Sequence, residues 1–299
     1  MQRNAQSHHI SIGAVFVSLV MSSAALFAVG CSASGVAGED TATQEATSTE
    51  YVSSPVQRLA TGDGMHLVDL TYPLSPEGLY WPTGEAFEHE REGWAINEKG
   101  YWYASGAFSS PEHLGTHIDA PIHFAEGGLT LAEIPVDNLI GSGVLIDISD
   151  KCSTDADATL LPEDLEAWES QYGPIPAGAV VIVRSGWARF WPDWNAYYGS
   201  DTPEDVTTLH FPGISEAAAT VLAERGVAGV GIDTASIDPG VSNLFEAHQV
   251  LGAANVFNLE NLTNIESLPA AGFAVIAMPM KIAGGTGAPA RVVALIPDQ

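Results

Sequence analysis

"SEAAATVLAERGVAGVGIDT", Ser215 to Thr234, carries the fold class of this chain. Ser215 is a residue type that caps helix N-termini, Glu216 puts an acid in the first turn, and alanines fill the interior. Gly226 then stops the helix. The residues that follow, "VAGVGI", form a short apolar run without a helical period, as expected of a strand buried on both faces. A helix running straight into such a strand is the repeating unit of α/β proteins. The same texture extends in both directions. "HLVDLTYPL" (His66–Leu74) alternates as a strand does, and "GVLIDIS" (Gly143–Ser149), "AVVIVRSG" (Ala179–Gly186), "FAVIAMPMKI" (Phe273–Ile282) and "RVVALI" (Arg291–Ile296) are further apolar runs bounded by Gly, Pro or polar residues. "LPEDLEAWESQYG" (Leu161–Gly173) is a second helix, with Pro162 at its start, acids in its first turn and Gly173 at its end. Residues 65–299 therefore read as one α/β domain, a mixed β-sheet with flanking helices.

The N-terminal part has a different character. Arg3 precedes the apolar run "ISIGAVFVSLVMSSAALFAVGC" (Ile10–Cys31), the pattern of an export signal over residues 1–30. "LFAVGC" (Leu26–Cys31) resembles a bacterial lipobox, with Ala28 where an aliphatic such as Leu is commoner. The expectation is lipidation at Cys31 and a protein exported to the cell envelope, periplasm or outer surface, touching membrane only through that lipid. Ordinary secretion and a retained apolar anchor are the alternatives. Residues 31–64, rich in Ser, Thr, Ala, Gly and acids, cannot bury enough surface to fold and read as a flexible tether. Cys152, the other cysteine, reads as a small half-buried residue.

The 299 residues are 46% hydrophobic, enough for a packed core. Their net charge is −27 with ten Lys and Arg, so no basic patch exists to neutralise phosphates, which argues against nucleic-acid binding.

"PEHLGTHIDAPIHF" (Pro111–Phe124) holds three of the nine histidines and an aspartate. Gly115, the β-branched Ile118 and Pro121 argue against a helix. In an extended segment His113, His117, Asp119 and His123 share one face, while Leu114, Thr116, Ile118, Ala120 and Ile122 face the other. Imidazoles and a carboxylate presented together suit Zn(II), Mn(II) or Fe(II), or a catalytic acid/base set. A row of hydrogen-bonded histidines at a strand end is the structural alternative.

"HLGTHIDAPIHF" resembles the HxGTHxDxPxH signature of the metal-dependent cyclase family, which includes bacterial kynurenine formamidases and isatin hydrolases. "HFPGIS" (His210–Ser215), "GVGIDTASIDPG" (Gly229–Gly240) and "AHQVLGAANVFNLENL" (Ala247–Leu262) are similar to later segments of that family, in the same order. The likeness spans about residues 65–296. It implies a swivelling β/β/α architecture and a divalent metal centre, Zn or Mn, of one or two ions. His113, His117 and Asp119 would be ligands, with Asp119 able to bridge, and His248 and Glu260 would be ligands to a second ion. His123 would be the catalytic proton shuttle. The family also implies a homo-oligomer, a dimer or tetramer, acting on a small molecule. From the residues alone, Gly252 and Asn255 interrupt a helix between His248 and Glu260, so the two must converge through a turn; alone, His248 reads equally well as a capping or packing residue.

The chemistry implied is hydrolysis of a small, aromatic amide or lactam C–N bond, arylformamidase-like or isatin hydrolase-like. A divalent ion lowers the pKa of its water toward about 7 and polarises a carbonyl, and a histidine of ordinary pKa about 6.5 can carry the proton. "RSGWA" (Arg184–Ala188) lacks a GxSxG elbow, which argues against a serine hydrolase. The competing readings are a metal-scavenging surface lipoprotein and a lyase or cyclase on the same site. The aromatic stretches Tyr80–Trp94 and Tyr101–Tyr103 could wall a substrate or pack in a core or interface, with Trp81 the first candidate. His210 and Phe211 are candidate pocket residues, or His210 caps a turn. Asp233, Ser236 and Asp238 are candidates for turn or supporting groups, with Ser236 able to meet substrate. His89, among Glu88, Glu90 and Glu92, reads as a solvated face.

Overall fold

A computed structural model describes residues 64–298. The expected export signal, Cys31 and almost all of the expected tether lie outside the described residues, as does Gln299. Among the described residues no helix is long and apolar enough to cross a membrane.

The described residues form twelve strands: β1 (Met65–Asp69), β2 (Glu88–Ile96), β3 (Trp102–Ser109), β4 (His117–Asp119), β5 (Ile140–Asp147), β6 (Thr159–Leu160), β7 (Val180–Arg184), β8 (Gly213–Ile214), β9 (Gly229–Ile232), β10 (Phe257–Glu260), β11 (Ala271–Pro279) and β12 (Gly287–Pro297). The helices are α1 (Ser149–Cys152), α2 (Pro162–Tyr172), α3 (Trp194–Tyr198), α4 (Glu216–Arg225) and α5 (Glu246–Ala253). The main sheet has the order β1-β12-β11-β5-β7-β9-β10-β4. β5, β7, β9 and β10 run parallel, and the remaining pairings are antiparallel, so the sheet is mixed. One edge of the long β12 is shared: residues 287–289 pair with β4 and residues 293–297 with β1. The pairing of β12 with β4 closes the sheet on itself.

The apolar runs of β7 and β9 are continuous because these central strands are covered on both sides. In β7, Val180 and Ile182 join one cluster with Ile118, Leu259, Val275 and Val292. Val181 and Val183 join another, with Leu165 of α2, Ala218 and Leu222 of α4, and Leu251 of α5. The two helices read from sequence form as expected. Ser215 Oγ accepts the Ala218 N–H, and Gly226 closes α4 in the left-handed region, where glycine pays no Cβ penalty. Pro162 opens α2 and Gly173 closes it. Cys152 is buried, which pushes its thiol pKa up to about 12.

Two expectations are corrected. The stretch from Pro111 to Phe124 is not one extended segment. Only His117–Asp119 is strand, and Pro121–His123 is a turn of 3-10 helix, because Pro121 has no amide to continue the ladder with β12. Gly252 does not break a helix but lies inside α5, where a Cβ would meet the Pro121 carbonyl at 2.9 Å. The break comes at Asn255, whose φ is +57°.

The aromatic stretches before the motif divide: Tyr80 and Trp81 pack against Trp194 and Tyr198, while residues 88–109 form a separate hairpin. β2 and β3 pair only with each other, and every residue of β2 is exposed. Trp94, Ile96, Trp102, Tyr103 and Phe108 are each about half or more exposed there.

Candidate metal centre

β4 lies between β10 and β12, and that register builds the site. His117 sits opposite Glu260 and Asp119 opposite Asn258, so their side chains leave the same face. Ile118, between them, is fully buried in the interior of the sheet. The alternation read from sequence therefore holds for three residues. His113 reaches the same place from the preceding loop, and His123 from the turn that follows.

α5 brings the fourth imidazole. Asp238 accepts the backbone N–H groups of Ala247 (2.9 Å) and His248 (3.1 Å), two first-turn donors that have no partner within the helix. It also accepts from His248 Nδ1 at 2.6 Å. One buried carboxylate thus starts the helix and turns the imidazole, leaving His248 Nε2 at 3.2 Å from Asp119 Oδ2 and 3.1 Å from Glu260 Oε1.

His117 is built the same way. Its Nδ1 donates to the Gly115 carbonyl at 2.9 Å, so the other nitrogen of the neutral ring is a lone pair. That Nε2 is buried and makes no hydrogen bond, although it lies 3.2 Å from Asp119 Oδ1 and 3.3 Å from Glu260 Oε2. Between two carboxylates this nitrogen takes a positive charge, either its own proton or a metal ion that displaces it. Buried charges cost several kcal/mol each without compensation. His113, Asp119 and His117 offer ligating atoms within 4.8 Å of one another, and so do Asp119, His248 and Glu260, with Asp119 common to both groups. Mixed imidazole and carboxylate donors of this kind fit a divalent ion.

The charges respond to this crowding in the absence of metal. Burial works against the charged form of His117, but Asp119 and Glu260 outweigh it and raise its pKa to about 10. His248 rises for the same reason, through Asp119, Asp238 and Glu260. Burial pushes Asp119 up, and His117 and His113 more than reverse that, holding it well below the usual carboxylate range. His123 behaves oppositely. Burial first, then the neighbouring His113 and His248, lower it to about 4 against the pull of Asp119. Its ring stacks on His113 with centroids 3.9 Å apart and meets Phe124 edge-on at 4.5 Å. At neutral pH His123 is therefore an uncharged imidazole with a free lone pair.

A cavity of about 320 Å³ opens over these groups, walled by Tyr80, Trp81, Phe124, Tyr198 and Phe245. Trp81 and Ser236 line it. The structure does not bring His210 or Phe211 to it. His210 is half exposed and bonds Asp157 at 2.9 Å, while Phe211 is buried behind Tyr198 in an aromatic cluster. Phe245 was not singled out from sequence. It holds a left-handed φ of +55° immediately before α5 and packs against Phe124 at 5.3 Å. That backbone angle costs about 1–2 kcal/mol at a non-glycine residue and is a constraint that sequence does not display. Asp233 is not at the cavity: Ser185 and Ala188 hold its carboxylate.

A closed mixed sheet whose one polar face gathers imidazoles and carboxylates at the floor of an aromatic cavity is the frame of a divalent-metal centre. The Cyclase family model matches residues 68–239, and the chain belongs to that family. It is 36% identical to the isatin hydrolase of Roseibium aggregatum over 195 residues, 62% of this chain and 72% of that one. It is 28% identical to the kynurenine formamidase of Salinibacter ruber over 77% of this chain and 97% of that one. Isatin hydrolase A from Labrenzia aggregata, solved bound to benzyl benzoate, superposes with a TM-score of 0.72 at 33% identity, covering 81% of this chain and 98% of that one. An isatin hydrolase solved with the product analogue thioisatinate superposes with a TM-score of 0.71 at 30% identity, covering 81% and 95%.

Proposed function

We propose that this protein is a metal-dependent amidohydrolase that opens a small aromatic amide or lactam, with His113, His117, Asp119, His248 and Glu260 holding Zn or Mn and His123 carrying the proton. The two groups of ligating atoms that share Asp119, with His117 Nε2 held between two carboxylates, are the observation that carries the reading. Bound there, a divalent ion supplies Lewis-acid polarisation of a carbonyl and a water of lowered pKa. Asp119, common to both groups of ligating atoms, suits either one ion or two. His123, uncharged and stacked beside His113, accepts a proton at its ring nitrogen and returns it to the departing nitrogen. The aromatic walls orient a flat substrate over the floor and keep bulk water from it. N-formylkynurenine and isatin, supplied before and after chelation, test the reading. Metal-dependent turnover of either supports it, and metal bound without turnover of any amide or lactam favours a scavenging protein instead.

The partner of the β2–β3 hairpin is, in this reading, a second copy of the chain. A lone two-stranded ribbon is marginally stable in water, and every copy carries the same exposed aromatics. Export and lipid attachment rest on the sequence of residues 1–31, and Cys31→Ser should release the protein from the membrane fraction.

A further inference from the structure

Three imidazoles face Asp119, and each is pinned through its other ring nitrogen. His117 and His248 donate from Nδ1, to Gly115 and Asp238, and so both offer Nε2. His113 is turned the other way. Its Nδ1 lies 2.6 Å from Asp119 Oδ1, and its Nε2 lies 2.9 Å from Thr286 Oγ1. A hydroxyl can donate or accept, so this contact alone leaves the His113 tautomer undecided.

Glu112 decides it. Its Oε2 is 2.9 Å from the Thr286 backbone nitrogen and 2.5 Å from Thr286 Oγ1. The amide can only donate, and a carboxylate above its ordinary pKa of about 4.3 can only accept. The single hydroxyl proton of Thr286 is therefore committed to Glu112. Thr286 Oγ1 is left as an acceptor toward His113, which places a ring proton on Nε2. Asp119 Oδ1, 2.6 Å from Nδ1, can likewise only accept, so Nδ1 either donates a second proton to it or gives its lone pair to a cation that displaces that proton.

The local backbone is shaped for this arrangement. Thr286 stands between two glycines in "GGTGAP" (Gly284–Pro289). A Cβ on Gly287 would lie 2.6 Å from His113 Cε1 and 2.6 Å from the Ile118 carbonyl, and one on Gly285 would lie 3.1 Å from Glu112 Oε1. The Thr286 carbonyl accepts the Ala120 N–H at 2.8 Å, which ties the segment to the end of β4. The close approach of this backbone to both Glu112 and His113 thus depends on the absence of flanking side chains.

We propose that Glu112 and Thr286 are positioning residues that fix His113 in the Nε2–H tautomer, so that it offers Nδ1 to the ion held with Asp119. This rests on the metal-site reading above. Partners of this kind, one bond removed from the ligand, orient it and commonly change metal affinity or activity by about 10–100-fold when lost.

The test uses the full chain, with Zn(II) and Mn(II) each alone, titrated in competition with a chelator. Thr286→Val should weaken the affinity roughly 10–100-fold, and Thr286→Ser should restore most of it. In the Zn(II)-loaded protein, long-range ¹H–¹⁵N correlation should place the ring proton on Nε2 of His113 and on Nδ1 of His117 and His248. Native affinity in Thr286→Val, no recovery in Thr286→Ser, or a proton on His113 Nδ1 each overturns the proposal. If Thr286→Val does not fold, Glu112→Gln serves in its place, with a smaller loss expected and unchanged affinity overturning the idea. If the native chain binds neither ion, the metal-site reading fails, and the tautomer lock is then judged in the metal-free chain. Slower solvent exchange of His113 Nε2–H in native protein than in Glu112→Gln supports the lock, and equal exchange sinks it.

Discussion

The site around Asp119 and the β2–β3 hairpin break the same rule in opposite directions. Ionisable side chains are rarely buried and large apolar ones are seldom displayed together on a surface. Asp119, His117, His248 and Glu260 are all nearly inaccessible, yet Trp94, Ile96, Trp102 and Phe108 stand in solvent. The first group is ordered entirely within one chain, by a closing sheet and a helix start, and its carboxylates draw positive charge, as protons on His117 and His248 or as an ion. The second has no core beneath it, and what it lacks is apolar surface. One inversion calls for an ion and the other for a protein, so the two should respond to different perturbations.

The largest effect is expected where the polar inversion is sharpest. Asp119 belongs to both groups of ligating atoms, so Asp119→Ala should lower metal affinity by more than the roughly 10–100-fold typical of supporting residues, and abolish turnover with it. Bound metal measured by elemental analysis, beside activity, checks this. A variant retaining native metal content would mean that the buried charges are structural. His123→Ala separates the two parts of the reading. Turnover should fall about 10²–10⁴-fold, while metal content stays native, because His123 stacks on the cluster without belonging to either group of ligating atoms. Loss of metal together with activity would make His123 a ligand.

How much of this contrast was legible in sequence depends on the range of the interactions. α4 with its caps, and the alternation of His117, Ile118 and Asp119, are set by neighbours within a few residues and could be read directly. Seven positions of the motif carried the site through family resemblance. Of the pinning groups, Asp238 could be read as a candidate supporting residue, but the atoms it and the others hold could not. Gly115 acts through its carbonyl, Asp238 through the start of α5, and Thr286 lies 174 residues from Glu112. Phe245 was hidden because its role follows from a backbone angle. His210 and Phe211 were misplaced because adjacency in "HFPGIS" does not say which residue turns to the cavity. The hairpin's residues were noticed as aromatic clusters, but their isolation from the core is a property of the sheet pairing alone.

A titration sharpens the polar side of the comparison. The proton on His117 occupies the nitrogen that the ion needs. With its pKa raised from about 6.5 to about 10 in the metal-free chain, the charged ring stabilises the fold fully below its ordinary value, and that contribution is lost as pH rises through about 10. Metal binding displaces the proton, so affinity should climb with pH across this window, by up to about tenfold per unit for each proton released. The gap in melting temperature between loaded and metal-free protein should widen in the same direction. Affinity independent of pH between about 6 and 9 would show that His117 does not bind the ion in this site.

The apolar inversion should respond to none of this. Trp102 is 59% exposed and pairs across the ribbon with Ile96, itself 64% exposed, so replacing Trp102 removes little that the single chain buries. Trp102→Glu should therefore leave the unfolding of the monomer nearly unchanged, within about 0.5 kcal/mol as for ordinary surface positions. Where two copies meet, the same change places a charge in a desolvated aromatic contact. Truncating an anchor residue of that kind commonly costs about 2 kcal/mol or more. Sedimentation should then show dimers dissociating at concentrations where the native chain holds together, while metal content stays native. Should the native chain sediment as a monomer at all concentrations, the exposed aromatics face some other surface. Should Trp102→Glu also shed metal, the hairpin and the site are coupled, and the two inversions are parts of one interface.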